Sequence, residues 1–197
     1  MKPLPEWIIT RIDGKIAAIS TDYRLFAAVA GKIARMPADR ISEISCTRIS
    51  TEELFALAAR TTGEDLALFG TKFQNMVWRK LFSLTHPEAG EAGKRLMSYT
   101  EFAQYCGCPE GVRAVAHAVA MNPILVVIPC HLIIPKETMD RIHETEKEAE
   151  ASLFGKDGLR LDTSLHFGDY RLGPEMKRRL IGIEFNSGNP PSPQPLQ

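Results

Sequence analysis

The chain has 197 residues, of which 44% are hydrophobic, and its 24 basic residues are balanced by 24 acidic ones. A chain of this size can bury a substantial core, and its formal charge of zero excludes proteins that hold nucleic acid mainly through a large positive charge. No apolar stretch is long enough to span a bilayer, because the run at residues 114–128 is interrupted by His117 and by Asn122-Pro123.

The first 65 residues predict a small α/β domain. Trp7–Ile12 and Lys15–Ser20 are two strand-like segments on either side of Asp13-Gly14, so they predict a hairpin with an Asp-Gly turn. Residues 23–36 have helical periodicity. Residues 41–49 mix apolar and polar positions and predict another strand.

Two Ser-x-x-Glu sequences have the spacing of a helix capping box. Ser50-Thr51-Glu52-Glu53 predicts a short helix over residues 51–59, and Ser98-Tyr99-Thr100-Glu101 predicts one over residues 99–106. Gly107 follows the second segment and predicts its carboxyl-terminal stop.

A third helix is predicted over residues 109–121. Pro109 suits a first helical turn, and Pro123 disfavours helix at the residue before it. With the preceding helix and its glycine turn, this segment predicts a helix-turn-helix. Its residues are almost all alanine and valine apart from Arg113 and His117. Such a helix is either buried in the core or able to approach a surface such as a DNA minor groove closely.

An uninterrupted apolar run at residues 124–128 is followed by Pro129, Cys130 and His131. The run predicts a strand buried on both faces, with Cys130 at its end. A nucleophilic cysteine needs a base or a positive charge within hydrogen-bond reach, and His131 is its neighbour in the chain. The alternative is that Cys130 is a small buried hydrophobe and His131 a loop histidine.

The remaining cysteines predict no metal site. Cys46, Cys106 and Cys108 lack the spacing of zinc ligands, and the chain shows no secretory signal, so we expect a cytoplasmic protein with reduced thiols. The Glu-rich segment at residues 136–151 predicts a solvated helix, and the Pro-rich residues 187–197 predict a disordered tail.

From about residue 66 to residue 186 the chain carries an ordered series of short motifs. These are Gly70-Thr71-Lys72-Phe73-Gln74, Val77-Trp78, Ser98-Tyr99, Arg113-Ala114-Val115, Asn122-Pro123, Ile128-Pro129-Cys130-His131, Tyr170, Gly173, Lys177 and Glu184. The ordered set resembles the catalytic domain of the O6-alkylguanine-DNA alkyltransferases, also called methylated-DNA-protein-cysteine methyltransferases.

The resemblance implies a division into domains. Residues 1–65 would form an α/β, ribonuclease-H-like scaffold domain, and residues 66–186 a mostly α, winged-helix-like catalytic domain with the helix-turn-helix. The disordered tail would be residues 187–197. The first domain lacks the cysteine and histidine set with which some relatives bind zinc, so we expect no metal, and the chemistry requires no cofactor.

The resemblance also implies a reaction. Cys130 would accept an alkyl group from O6 of guanine, and His131 would act as its base through a bound water. Glu184 would orient and stabilise the imidazole, as a carboxylate does in hydrolases. A thioether is not readily cleaved, so each molecule would react once.

The implied partner is double-stranded DNA with an alkylated guanine, bound through the minor groove by a monomer. The damaged nucleotide would rotate out of the stack. Arg113 would fill the gap, Tyr99 would press on the neighbouring phosphate, and Ala114 and Ala116 would lie against the groove. Asn122 would brace the helix-turn-helix against the active-site strand.

The implied guanine pocket contains Tyr170, which would donate to the flipped purine, and Lys177, which would polarise the site. The alternative for Lys177 is a solvated helix face, because Lys177-Arg178-Arg179 has the composition of an exposed basic run. Arg171 stands where some relatives have a small residue, and it would narrow the pocket or contact a phosphate. Leu132 stands where the family usually has arginine.

Two other functions remain open. A non-catalytic module that binds alkylated bases for other repair factors would lack the acceptor cysteine, whereas Cys130 is present here. A transcriptional regulator built on the helix-turn-helix is disfavoured, because major-groove recognition needs several polar side chains and this helix offers little beyond Arg113.

Overall fold

The structure is a computed structural model that describes residues 3–22, 43–87, 96–151 and 165–186. By its internal contacts the chain divides into two compact units, residues 1–133 and residues 134–197. The predicted boundary at residue 65 lies within the first unit, and a domain division at that residue stays a prediction.

The first unit begins with an antiparallel sheet of order β2-β1-β3. Strand β1 (Trp7–Ile12) and strand β2 (Lys15–Ser20) form the predicted hairpin. Asp13 and Gly14 have φ values of 49° and 78°, a left-handed conformation that an Asp-Gly turn accommodates. Strand β3 (Ile44–Ile49) pairs with the other edge of β1, so the strand predicted at residues 41–49 is confirmed over most of its length.

Helix α1 (Thr51–Arg60) follows the sheet and begins at the predicted capping box. The Ser50 hydroxyl accepts from the Glu53 amide, and the Glu53 carboxylate accepts from the Ser50 amide. The Trp7 indole is fully buried and donates to the Thr51 hydroxyl at 2.9 Å, which joins the sheet to the start of this helix. The helix predicted at residues 23–36 and the tail at residues 187–197 lie outside the described residues.

Helix α2 (Lys72–Ser83) begins at Thr71, which forms a capping box with Gln74. Gly70 lies flat against the buried Trp78, because a Cβ at Gly70 would be 2.6 Å from the indole ring. This close approach requires glycine.

Two short helices follow strand β4 (Met97–Ser98) in the order of a helix-turn-helix. Helix α3 (Tyr99–Tyr105) begins at the predicted Ser98 cap, and Gly107 turns the chain with a φ of 73°. A single 3₁₀ turn (Pro109–Gly111) then leads into helix α4 (Val112–Ala120). The helix predicted over residues 109–121 is therefore a 3₁₀ turn continued by an α-helix.

The prediction of a strand at residues 124–128 is wrong. The run is fully buried, but it folds as a tight turn in which Val126 has a φ of 70°. The Val127 amide donates to Leu125 and the Ile128 amide donates to Ile124, so the segment bonds to itself. Uniform burial gives no periodicity, so sequence alone could not distinguish this turn from a buried strand.

The first unit ends with a 3₁₀ turn (Cys130–Leu132), and the division between units falls within β5 (Ile133–Ile134). The second unit contains α5 (Lys136–Ala151), which confirms the helix predicted there, and α6 (Pro174–Asn186). Over the described ranges, no helix is both long enough and apolar enough to cross a membrane.

Candidate active site

Cys130 lies at the start of the 3₁₀ turn and is almost completely buried, with 6% of its surface exposed. Its amide donates to the Ile128 carbonyl at 2.8 Å, and the Leu132 amide donates to the Pro129 carbonyl at 3.0 Å. The backbone on both sides of Cys130 is therefore held by hydrogen bonds.

Asn122 holds this segment together through its buried side-chain amide. Its Nδ2 donates to the Ile128 carbonyl at 2.8 Å, to Cys130 Sγ at 3.1 Å and, more weakly, to the Ile124 carbonyl at 3.4 Å. Its Oδ1 accepts from the Ile124 amide at 3.0 Å. One side chain thus shapes the turn and points an N–H group at the sulfur.

The amino-terminal sheet contacts the same turn. The Ile19 amide donates to the Pro123 carbonyl at 2.9 Å, and the Ile19 carbonyl accepts from the Leu125 amide at 3.4 Å. Sequence reasoning gave Ile19 no role in the site, and its apolar side chain carries no signal for one, because it acts through its backbone.

His131 and Leu132 complete the turn. Both side chains are fully buried, and His131 is adjacent to Cys130 in the chain. Leu132 occupies the position where a cation was expected from the resemblance, and it packs instead as a buried hydrophobe.

The predicted DNA-contacting residues lie on α3 and α4, which pack against each other. Arg113 and Ala114 are exposed, whereas Ala116 and Tyr99 are half-buried. Helix α4 is therefore not a fully buried core helix. His117 shares its exposed face, and the sequence motifs assign it no role.

The second unit carries the remaining predicted site residues on and before α6. Lys177 and Glu184 are both buried, and they lie two turns apart on the same helix face. The alternative interpretation, in which Lys177 lies on a solvated helix face, is wrong, because only 1% of its surface is exposed. A Cβ on Gly168 would be 3.6 Å from Lys177 Nζ, so the ammonium lies against a glycine.

Tyr170 and Arg171 precede α6 in the same unit. Tyr170 is half-buried, and Arg171 is exposed. Arg178, next to Lys177, donates from Nη2 to the Leu165 carbonyl at 2.9 Å. The basic run is therefore only partly a solvent-facing surface.

The other thiols differ from Cys130. All four cysteines are free, and Cys46 is exposed. Burial, reinforced by the neighbouring Cys108 thiol, raises the pKa of Cys106 to about 11 from an ordinary value of 9.0. Cys106 is consequently a protonated, unreactive thiol at neutral pH.

Trp78 is a positioning residue that sequence reasoning did not assign. Its indole is fully buried and donates to the Ala118 carbonyl at 2.8 Å, which fixes α4 against α2. A tryptophan in a helical segment is typical of a core residue, so the sequence does not reveal its partner in α4.

The fold and the site define a mixed α/β protein with a pair of short consecutive helices and a cysteine and histidine on a buried, asparagine-braced turn. Residues 72–153 match the family model described as the 6-O-methylguanine DNA methyltransferase DNA-binding domain. The matched segment contains α2, both short helices and the Cys130 turn.

Two curated relatives have the name methylated-DNA–protein-cysteine methyltransferase. The protein of Mycobacterium leprae is 39% identical over 70 residues, which are 36% of this chain and 38% of the relative. The constitutive protein of Bacillus subtilis is 33% identical over 87 residues, which are 44% of this chain and 48% of the relative. The matches therefore span less than half the length of these relatives.

A solved structure of O6-methylguanine-DNA methyltransferase from Pyrococcus kodakaraensis is similar to this chain with a TM-score of 0.50. The similarity covers 91% of each chain at 20% sequence identity. At that identity it supports the fold alone, a mixed α/β architecture with a helical region.

Proposed function

We propose that this protein repairs DNA by transferring a methyl or larger alkyl group from O6 of guanine to Cys130, irreversibly and once per molecule. The observation that carries the proposal is the hydrogen bond from Asn122 to Cys130 Sγ at 3.1 Å, within the segment that matches the methyltransferase family model. It ties the thiol to a fixed position beside His131.

The proposed step is an in-line displacement at the alkyl carbon. A new bond forms between Cys130 Sγ and that carbon, while the bond from the carbon to O6 breaks and leaves guanine intact. The thiol proton leaves to His131 through a water molecule, and the leaving base takes up a proton. No metal or cofactor takes part. The same displacement at O4 of thymine is a second candidate reaction.

Asn122 and His131 have separate parts in the proposed chemistry. A hydrogen bond from Asn122 Nδ2 stabilises negative charge on the sulfur, because donors bind ionised acceptors more strongly than neutral ones. His131 acts as the base. Glu184, which is buried, holds its imidazole in the correct tautomer and stabilises its cation.

DNA binding is proposed for the exposed face of the helix-turn-helix, approached from the minor groove of a duplex. Arg113 fills the space left by the flipped nucleotide, and Tyr99 presses on the neighbouring phosphate. Ala114 and Ala116 let the helix lie close to the groove. The exposure of Arg113 and Ala114 supports this assignment.

The remaining elements of the proposal concern the guanine pocket and the architecture. Tyr170 donates to the flipped purine, Lys177 polarises the site, and Arg171 contacts the pocket or a phosphate.

We further propose a ribonuclease-H-like first domain, a winged-helix-like second domain, a monomer and a cytoplasmic location. The four free cysteines are consistent with a reducing compartment.

The experiment is an intact-mass measurement after incubation with a duplex that carries one O6-methylguanine. We expect a gain of one methyl group in the unmodified protein and in Cys106→Ser, and no gain in Cys130→Ser. Loss of the gain in Cys106→Ser alone would refute the choice of acceptor. Retained lesion binding without any gain would instead indicate the non-catalytic lesion-binding module.

A further inference from the structure

The exposed face of α4 carries a second long polar side chain besides Arg113. His117 is exposed and follows Arg113 by four residues, so the two side chains lie on the same side of the helix. Ala114 and Ala120, the exposed residues beside them, have no side chain beyond Cβ. His117 therefore projects past its neighbours.

The opposite face of α4 is anchored. Val115, Ala118 and Val119 are buried, and the Ala118 carbonyl accepts from the Trp78 indole at 2.8 Å. Because this packing fixes the rotation of the helix about its axis, the side chain of His117 is presented on a rigid surface.

The spacing suits a nucleic-acid backbone. Four residues of α-helix rise about 6 Å, and successive phosphates of one DNA strand are about 3.4 Å apart along the duplex axis. For a helix that runs along the strand, a side chain four residues after Arg113 lies about two nucleotides from the site where Arg113 acts.

The charged groups on the elements packed against α4 are mostly cationic. Helix α2 carries Lys72, Arg79 and Lys80, helix α3 carries Glu101, and the 3₁₀ turn carries Glu110. Glu101 accepts from the Ser98 amide in its capping box, and Lys80 lies over the Tyr105 ring. These elements therefore carry three basic and two acidic side chains, a small positive balance.

We propose that His117 is a second DNA contact, in which the protonated imidazole donates to a backbone phosphate about two nucleotides from Arg113. The inference rests on the proposed function in that DNA is the ligand. Imidazole changes charge between about pH 5 and pH 8, so this contact makes DNA affinity depend on pH.

The test is fluorescence anisotropy with a short, labelled, lesion-free duplex, over a salt series at about pH 6 and about pH 8. The proteins are the full chain, His117→Gln and His117→Lys, with His143→Gln and His166→Gln as controls at other exposed histidines. A phosphate contact contributes about 0.9 to the slope of log affinity against log salt.

We expect His117→Gln to bind about fivefold to tenfold more weakly than the full chain at the lower pH, with a slope smaller by about 0.9. The two should bind alike at the higher pH, and His117→Lys should bind tightly at both. The control variants should match the full chain.

An equal pH dependence in the full chain and His117→Gln would overturn the inference, and so would an absence of duplex binding. The proposed alkyl transfer is judged separately, by the mass gain on Cys130. If the salt slope depends on His117 but Cys130 gains no mass, the DNA contact is supported and the alkyl transfer is refuted. If Cys130 gains mass but the salt slope does not depend on His117, the transfer is supported and the DNA contact is refuted.

Discussion

Replacing Asn122 by alanine should strongly destabilise the protein, because one buried side chain supplies four hydrogen bonds to the acceptor turn. The Ile124 amide would lose its acceptor, at a cost of about 1–3 kcal/mol for an unsatisfied buried group. The Ile128 carbonyl would keep its bond from the Cys130 amide, so its loss is about 0.5–1.5 kcal/mol. The two bonds to Ile124 O and Cys130 Sγ are weaker.

The expected decrease in the free energy of unfolding is therefore about 3 kcal/mol, a large part of the 5–15 kcal/mol typical of a folded domain. Equilibrium urea denaturation measures it from the shift in midpoint at constant slope. The matched control is Thr61→Val. The Thr61 hydroxyl is buried and donates to the Leu57 carbonyl, which also accepts from the Thr61 amide, so its loss should cost at most about 1 kcal/mol.

A decrease for Asn122→Ala no larger than that of the control would refute the reasoning. It would mean that the turn keeps its backbone hydrogen bonds without the side chain. A change in the denaturant slope would indicate that the variant alters the unfolded or partly folded state instead.

Two further predictions concern close packing and thiol ionisation. Gly70→Ala should lower the free energy of unfolding by about 1–3 kcal/mol, and with it the melting temperature, because the new Cβ would overlap the Trp78 ring. In the control Gly63→Ala the new Cβ meets nothing within 4 Å, so the melting temperature should be nearly unchanged. Equal melting temperatures for the two variants would contradict the packing argument. Burial raises the pKa of Cys106 to about 11 in the folded protein, from 9.0. Between these pH values the thiol ionises in the unfolded chain but not in the folded one, so the free energy of unfolding is unaffected by this thiol below pH 9 and falls between pH 9 and 11. In denaturation experiments over that pH range, the free energy of unfolding should fall less in Cys106→Ala than in the unmodified protein. An identical fall in the two proteins would argue against the raised pKa.

The hairpin and the helix starts could be predicted because their determinants are local. The Asp13-Gly14 turn and the caps at Ser50 and Ser98 each depend on residues no more than three positions apart. The conformation at each of these places is therefore favoured by a short motif, without residues from distant parts of the chain.

The turn that holds Cys130 could not be predicted in the same way. Its apolar residues are all buried, so the sequence has no alternation to reveal a bend. Its left-handed residue is Val126, a β-branched type that rarely adopts positive φ. The conformation depends on the Asn122 side chain, which reaches as far as Cys130, and on Ile19, about 100 residues away in the chain.

Composition also misleads where charged residues are concerned. Lys177 stands in a basic run that is typical of a solvated surface, yet it is buried. His117 stands among alanines and valines that suit a core, yet it is exposed. In both cases the tertiary position of the helix, which the sequence does not state, decides which side faces solvent.

The backbone pairing between Ile19 and Pro123 joins residues about 100 positions apart in the chain. Closing a loop of that length costs conformational entropy, and pairings between residues far apart in the chain slow folding. The turn that holds Cys130 has its full set of backbone hydrogen bonds only while β2 is in place. A version shortened to begin after residue 65 would keep the cysteine and its neighbours in sequence, but it would leave the Pro123 carbonyl and the Leu125 amide without these bonds. The amino-terminal sheet therefore helps to hold the turn that positions the thiol, and removing the sheet would remove these hydrogen bonds.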